Sequence, residues 1–139
     1  MSAIIDTGPL VALLNRGDEH YAWMIEQSRN LKPPFYCCEA VIAEAHYLLA
    51  RYPAGNRRLN QLITSGKIDL SFSYADHTAE VHRLMEKYEN VPMSFADACI
   101  VRLAEVHRQN RVLTLDGDFK IYRKHRNRPL ELIFPLNNN

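Results

Sequence analysis

Cysteine is scarce in this chain: Cys37, Cys38 and Cys99 are odd in number, and two of them are adjacent. That spacing fits neither a disulfide framework nor a structural zinc site, so the expectation is free, mostly buried thiols in a reducing compartment. No apolar run is long enough to span a bilayer. The first one is broken by Asp6 and lacks a basic lead, so no signal peptide is expected either. Net charge is nearly absent: 17 Lys and Arg against 16 Asp and Glu leave +1, which excludes a general polycation but not local patches. His20, His46, His77, His82 and His107 have no zinc-ligand spacing and no nucleophile partner, and no chemistry is assigned to them. A soluble, cytoplasmic protein with no membrane association is expected.

The 139 residues, 47% of them hydrophobic, suffice for one compact domain and leave little room for a second. The expected organisation is one domain over 1–136 and a short polar tail over 137–139. The opening apolar run stops at Asp6-Thr7-Gly8-Pro9, which reads as a buried strand and a tight turn. A brief helix over 10–15 then ends at Gly17, and a second helix covers 19–30. Pro33-Pro34 forces an extended entry into a strand over 35–38. A helix over 39–52, with Val41, Ala45, Leu48 and Leu49 on one apolar face and ended by Pro53 and Gly55, is followed by another over 56–64. A strand over 68–72 and a helix over 76–89 come next, then a helix over 95–109 with Ser94 as N-cap. Strands at 111–115 and 130–134 flank a polar, basic segment over 120–128. Strands alternating with helices imply an α/β fold whose largely parallel sheet is covered on both faces.

Four carboxylates take comparable places in that pattern. Asp6 ends the first strand, and Glu44 lies in the early turns of the helix after the second. Asp97 opens the helix after Ser94, and Asp116 ends the strand Val112-Leu113-Thr114-Leu115. In a parallel α/β sheet such positions share one edge. Clustered carboxylates repel one another unless protons or cations intervene. Hard divalent ions such as Mg²⁺ and Mn²⁺ prefer oxygen ligands, and they can polarise a phosphodiester and activate water. Taken singly, each acid also has a plainer role. Asp6 serves as a turn or cap residue, Asp97 as the third residue of a helix, and Asp116 as part of an ordinary turn with Gly117-Asp118-Phe119. Glu44 is hardest to dismiss, since it borders an apolar helix face with no basic residue four positions away.

Ile4-Ile5-Asp6-Thr7-Gly8, Glu39-Ala40-Val41-Ile42-Ala43-Glu44, Ser94-Phe95-Ala96-Asp97-Ala98 and Leu113-Thr114-Leu115-Asp116, in that order, resemble the motifs of PIN-domain ribonucleases. The nearest group is the toxins of bacterial and archaeal VapBC-type toxin–antitoxin systems, and the likeness runs over essentially the whole chain. The resemblance implies a three-layer α/β/α sandwich with a central, mainly parallel sheet. It also implies a Mg²⁺- or Mn²⁺-dependent endoribonuclease acting on single-stranded or loop RNA. A homodimer and a small cognate antitoxin, whose C-terminal segment lies over the active groove, are implied as partners. Carried over residue by residue, Asp6, Glu44, Asp97 and Asp116 match the family's catalytic, metal-holding quartet. Asp118 matches a further acid of some members and is the weaker metal candidate. Thr7 matches the hydroxyl residue after the first aspartate, and Ser94 one before the third acid, where capping suffices to explain it. Glu39 is out of register with the motif.

An acidic centre repels RNA, so positive charge has to hold the backbone. Lys120, Arg123, Lys124, His125, Arg126 and Arg128 form the densest basic stretch, which either flanks the same rim or is a solvated helix and loop. Arg51, Arg57 and Arg58 form a looser group, and Arg16 follows the first helix. Tyr36, Tyr52, Tyr74 and Phe119 are candidates for base stacking or for packing. Tyr21 and Trp23 suit an interface; Leu10, Val11, Leu13 and Leu14 suit an interface or the core. The expected activity is hydrolysis of RNA to a 5′-phosphate and a 3′-hydroxyl, by the toxin of a type II pair. Two rivals share the scaffold: a structure-specific DNA nuclease, and a non-catalytic RNA- or protein-binding module. A phosphatase with an aspartyl nucleophile is disfavoured, because the second Asp it places two residues after the first is Gly8 here.

Overall fold

A computed structural model describes residues 1–109 and 111–136; the expected tail at 137–139 lies outside the described residues. Its strands are β1 (Ile4–Ile5), β2 (Phe35–Tyr36), β3 (Ile68–Asp69), β4 (Val112–Leu113), β5 (Arg123–Lys124), β6 (Arg128–Pro129) and β7 (Leu132–Ile133). Its helices are α1 (Thr7–Leu14), α2 (Tyr21–Asn30), α3 (Glu39–Leu48), α4 (Pro53–Thr64), α5 (Thr78–Lys87) and α6 (Phe95–Val106). Five strands pair in the order β3-β2-β1-β4-β7, every pair parallel. The chain steps outward from β1 through β2 to β3, then returns to the other side of β1 for β4. The strand order therefore reverses between β1 and β4, where an open α/β sheet leaves a crevice for ligands. Helices on both faces complete the expected α/β/α sandwich around a parallel sheet.

Burial explains the apolar runs. Ile4, Ile5, Val112 and Leu113 are at most 1% exposed, as central parallel strands covered on both faces must be. Helix α6 packs against β1 and buries Ala96, Ala98, Cys99, Ile100, Val101, Leu103 and Ala104. Helix α1 contacts α2, α3 and α4. Leu10, Leu13 and Leu14 are buried and Val11 packs against them, so this stripe belongs to the core. All three cysteines are buried and free. Among the described residues, no helix is long and apolar enough to cross a membrane.

Several boundaries differ from those expected, each for a local reason. Gly8-Pro9 is not a turn: α1 starts at Thr7, and Pro9 occupies its first turn, where a missing N–H leaves no intrahelical bond unmade. Helix α3 ends at Leu48, inside the expected 39–52, and the chain turns through 49–52 before Pro53 opens α4 at its first position. Gly55 thus lies inside α4 rather than ending α3. It is required there, because a Cβ would sit 2.6 Å from the Leu14 carbonyl oxygen. Strand β3 stops at Asp69, whose Oδ1 accepts the Ser71 N–H at 2.8 Å and turns the chain. Leu48, expected on the buried face of its helix, is 51% exposed.

Candidate functional site

Parallel pairing sets Ile5 beside Leu113, so the chain leaves β1 and β4 at the same edge and at the strand-order reversal. Asp6 follows β1 directly as the N-cap residue of α1. Thr114 and Asp116 follow β4. Asp97 is the third residue of α6, whose N-cap Ser94 accepts the Asp97 N–H on its Oγ at 3.0 Å. Glu44 reaches the same edge from α3 and accepts the Thr7 hydroxyl at 2.6 Å. Asp6, Glu44, Asp97, Asp116 and Asp118 all line one open cleft of about 1000 Å³, with Thr7 and Ser94 beside them. The convergence expected from strand ends and helix starts is therefore present in the fold.

Two hydroxyls that the sequence alone does not single out tie the acids together. The Thr114 side chain, wholly buried, donates to Asp6 Oδ2 at 2.8 Å and accepts the Asp116 N–H at 3.0 Å. The Tyr122 hydroxyl donates to Asp97 Oδ2 at 2.8 Å from a ring that is wholly buried. Asp116 Oδ1 in turn accepts the Asp118 N–H at 2.9 Å, at the start of the 3₁₀ turn Gly117–Lys120. A signal for Thr114 exists, since a polar residue interrupts an otherwise apolar strand two places before Asp116. Tyr122 lies inside the basic stretch and offers no such signal.

Burial dominates the electrostatics. Asp6 is 6% exposed, and loss of water pushes its pKa from 3.8 up to about 7. The Thr114 hydroxyl and the Thr7 backbone N–H oppose that rise, while the charges of Asp97 and Asp116 add to it. Asp97 is raised as well, chiefly by burial, against hydrogen bonds from Tyr122 and Ser94 and with repulsion from Asp116 and Glu44. Burial and the neighbouring Asp97 carboxylate hold the Tyr122 phenol far above its ordinary range, which keeps it a proton donor. Among the described residues lining the cleft there is no Lys, Arg or His. The cleft therefore concentrates negative charge without an internal counter-ion.

The donor set is all carboxylate oxygen, the chemistry of a hard divalent cation. Among the described residues, no three His, Cys, Asp or Glu side chains form a ready cage for a metal ion. Mg²⁺-type ions are commonly held by one or two carboxylates and several waters, which an open cleft of this kind accommodates. None of the six basic residues over 120–128 lines the cleft among the described residues. That segment is not a helix and loop. It folds into an antiparallel hairpin of β5 and β6, turned at His125 and Arg126 with positive φ. Lys124 is buried, Arg123 donates to the carbonyls of Lys120, Ile121 and Tyr122, and Lys120 lies over Phe134. Of the aromatic candidates, Phe119 is buried, Tyr36 packs on His107, and Tyr74 packs on Phe95 and bonds His82. Tyr52 is 48% exposed, and Tyr47, which lines the cleft, is 81% exposed.

The chain is similar to Ribonuclease VapC26 of Mycobacterium tuberculosis, with 29% identity over 115 residues that take in 81% of this chain and 85% of the relative. The PIN domain family model matches residues 3–125, a span that holds every acid of the cleft. On that match, the chain belongs to the PIN domain family.

Proposed function

We propose that this PIN domain is a Mg²⁺- or Mn²⁺-dependent endoribonuclease and the toxin of a type II toxin–antitoxin pair. Asp6, Glu44, Asp97 and Asp116 are its catalytic, metal-holding residues, and Asp118 is auxiliary. The observation that carries the reading is the cleft itself: acids from four separate segments around a desolvated Asp6, with no lining cation among the described residues. When bound, the divalent ion supplies Lewis-acid charge at the phosphoryl oxygens and lowers the pKa of water. The chain's own part is positioning. Thr114 holds the Asp6 carboxylate and the Asp116 backbone in one arrangement, Thr7 fixes Glu44, and Tyr122 fixes Asp97. No carboxylate is assigned as a dedicated general base. The open shape suits a flexible single strand better than a rigid duplex.

The toxin assignment, the homodimer, the small antitoxin and a cytoplasmic site of action rest on the order of the motifs and on the relative's name. Residues 1–136 act as one nuclease domain in this reading. The test is cleavage of a panel of single-stranded and structured RNAs and DNAs by protein freed of any partner, with EDTA, Mg²⁺ or Mn²⁺. Metal-dependent RNA cutting that Asp6→Asn lacks is the expected result. Cutting of DNA alone would keep the chemistry and discard the toxin. No cutting and no metal binding by folded protein would leave a binding module.

A further inference from the structure

The acids of the cleft leave unanswered what holds the backbone of a bound RNA. Three arginines outside the cleft converge on a hollow of about 540 Å³: Arg16 just past α1, Arg51 in the α3–α4 corner and Arg58 in α4. They meet because Gly55 lets the first turn of α4 abut the last carbonyl of α1. All three are exposed, and among the described residues no Asp or Glu lines the hollow and none of the three is ion-paired. The first turn of α4 adds to the positive potential, since Tyr52 provides no side-chain cap. The other arginine-rich hollow, under the β5–β6 hairpin, differs in kind: Glu80 and Glu105 line it, and Arg102 pairs with Glu105.

The position of the hollow also matters. Thr7 at the start of α1 lines the carboxylate cleft and Leu14 at its end lines the hollow, so about 10 Å of helix separates them. Exposed Tyr47 borders the cleft and exposed Tyr52 borders the hollow. Basic groups with interleaved, exposed aromatics make a track for single-stranded nucleic acid: phosphates meet the charges and bases stack on the rings.

We infer that Arg16, Arg51 and Arg58 form a phosphate-binding site that holds the backbone of single-stranded RNA beside the carboxylate cleft, with Tyr47 and Tyr52 as stacking platforms between them. This rests on the ribonuclease reading. The test is steady-state cleavage of an RNA substrate across a series of KCl concentrations. It compares wild type with the triple variant Arg16→Gln, Arg51→Gln, Arg58→Gln and with the corresponding triple Lys variant. The Gln variant is expected to raise KM about tenfold with kcat unchanged. Its log(kcat/KM) against log[salt] should flatten by about 0.7 for each phosphate that is no longer neutralised. The Lys variant, which keeps the charges, should retain the wild-type slope and guards against a folding artefact. A folded Gln variant with wild-type KM and slope would overturn this site and leave the ribonuclease intact. So would a fall in kcat at unchanged KM. Wild type that cuts no RNA with either metal would overturn the ribonuclease and this site with it.

Discussion

Replacing Asp6 by Asn should make the metal-free protein more stable at neutral pH, not less. Asp6 is 6% exposed, and its pKa is raised from 3.8 to about 7, burial being the largest cause. The unfolded chain releases this proton near 3.8, while the folded chain keeps it to about 7. Between those values the unfolded state binds fewer protons, so stability falls as pH rises through the window and levels off above it. At about 1.4 kcal/mol per tenfold change in proton affinity, the full displacement corresponds to about 4 kcal/mol. Relaxation around the charge makes roughly 2–4 kcal/mol the expectation for a 139-residue chain whose whole stability is on the order of 10 kcal/mol. Asn keeps the shape and can still accept from Thr114, without the charge. The assay is urea unfolding in EDTA from pH 4 to pH 8 for both proteins. The wild-type curve should fall across that range relative to the Asn variant, with Asp6→Asn the more stable at pH 8. Adding Mg²⁺ or Mn²⁺ should then stabilise wild type by mass action and the variant far less. An Asn variant that is equally or less stable at pH 8 in EDTA would refute the claim that Asp6 carries an uncompensated buried charge.

Three further outcomes are expected from the neighbours of the cleft acids and of Gly55. Tyr122→Phe removes the donor to Asp97 Oδ2, and a carboxylate no longer held in place by that hydrogen bond should bind metal about 10- to 100-fold more weakly, measured by isothermal titration with Mn²⁺. Thr114→Val removes a hydrogen bond that lowers the Asp6 pKa, so the acid limb of the pH profile for metal-dependent cleavage should move to higher pH; an unmoved limb would count against Asp6 as the titrating group. Gly55→Ala places a Cβ 2.6 Å from the Leu14 carbonyl oxygen, and the forced shift should destabilise the protein by about 1–3 kcal/mol in urea unfolding.

Much of the site is legible in the sequence because backbone topology carries it. A carboxylate within a few residues of the end of a buried parallel strand reaches the shared edge whatever the side chains between. This is why local pattern suffices to place Asp6 and Asp116, whereas Asp97 opens α6, which follows α5 rather than a strand and comes to the edge by packing against β1. Glu44 needs the helix phase too, and the expected phase is only partly right, since Leu48 faces solvent on the same helix. What local pattern does not carry is which side chain meets which across the sheet. Thr114 contacts Asp6 over a separation of 108 residues, and Tyr122 reaches Asp97 from a segment that reads as polar and basic. Charge density along the chain is the least reliable guide. The dense run over 120–128 spends Arg123 on its own backbone carbonyls and buries Lys124. Arg16, Arg51 and Arg58, spread over more than forty positions of the chain, meet at one hollow because a single glycine allows two helices to touch. A basic surface able to hold a phosphate is a property of packing, so arginines far apart in the chain share a hollow that no Asp or Glu lines among the described residues, while Glu80 and Glu105 line the hollow beside the dense run.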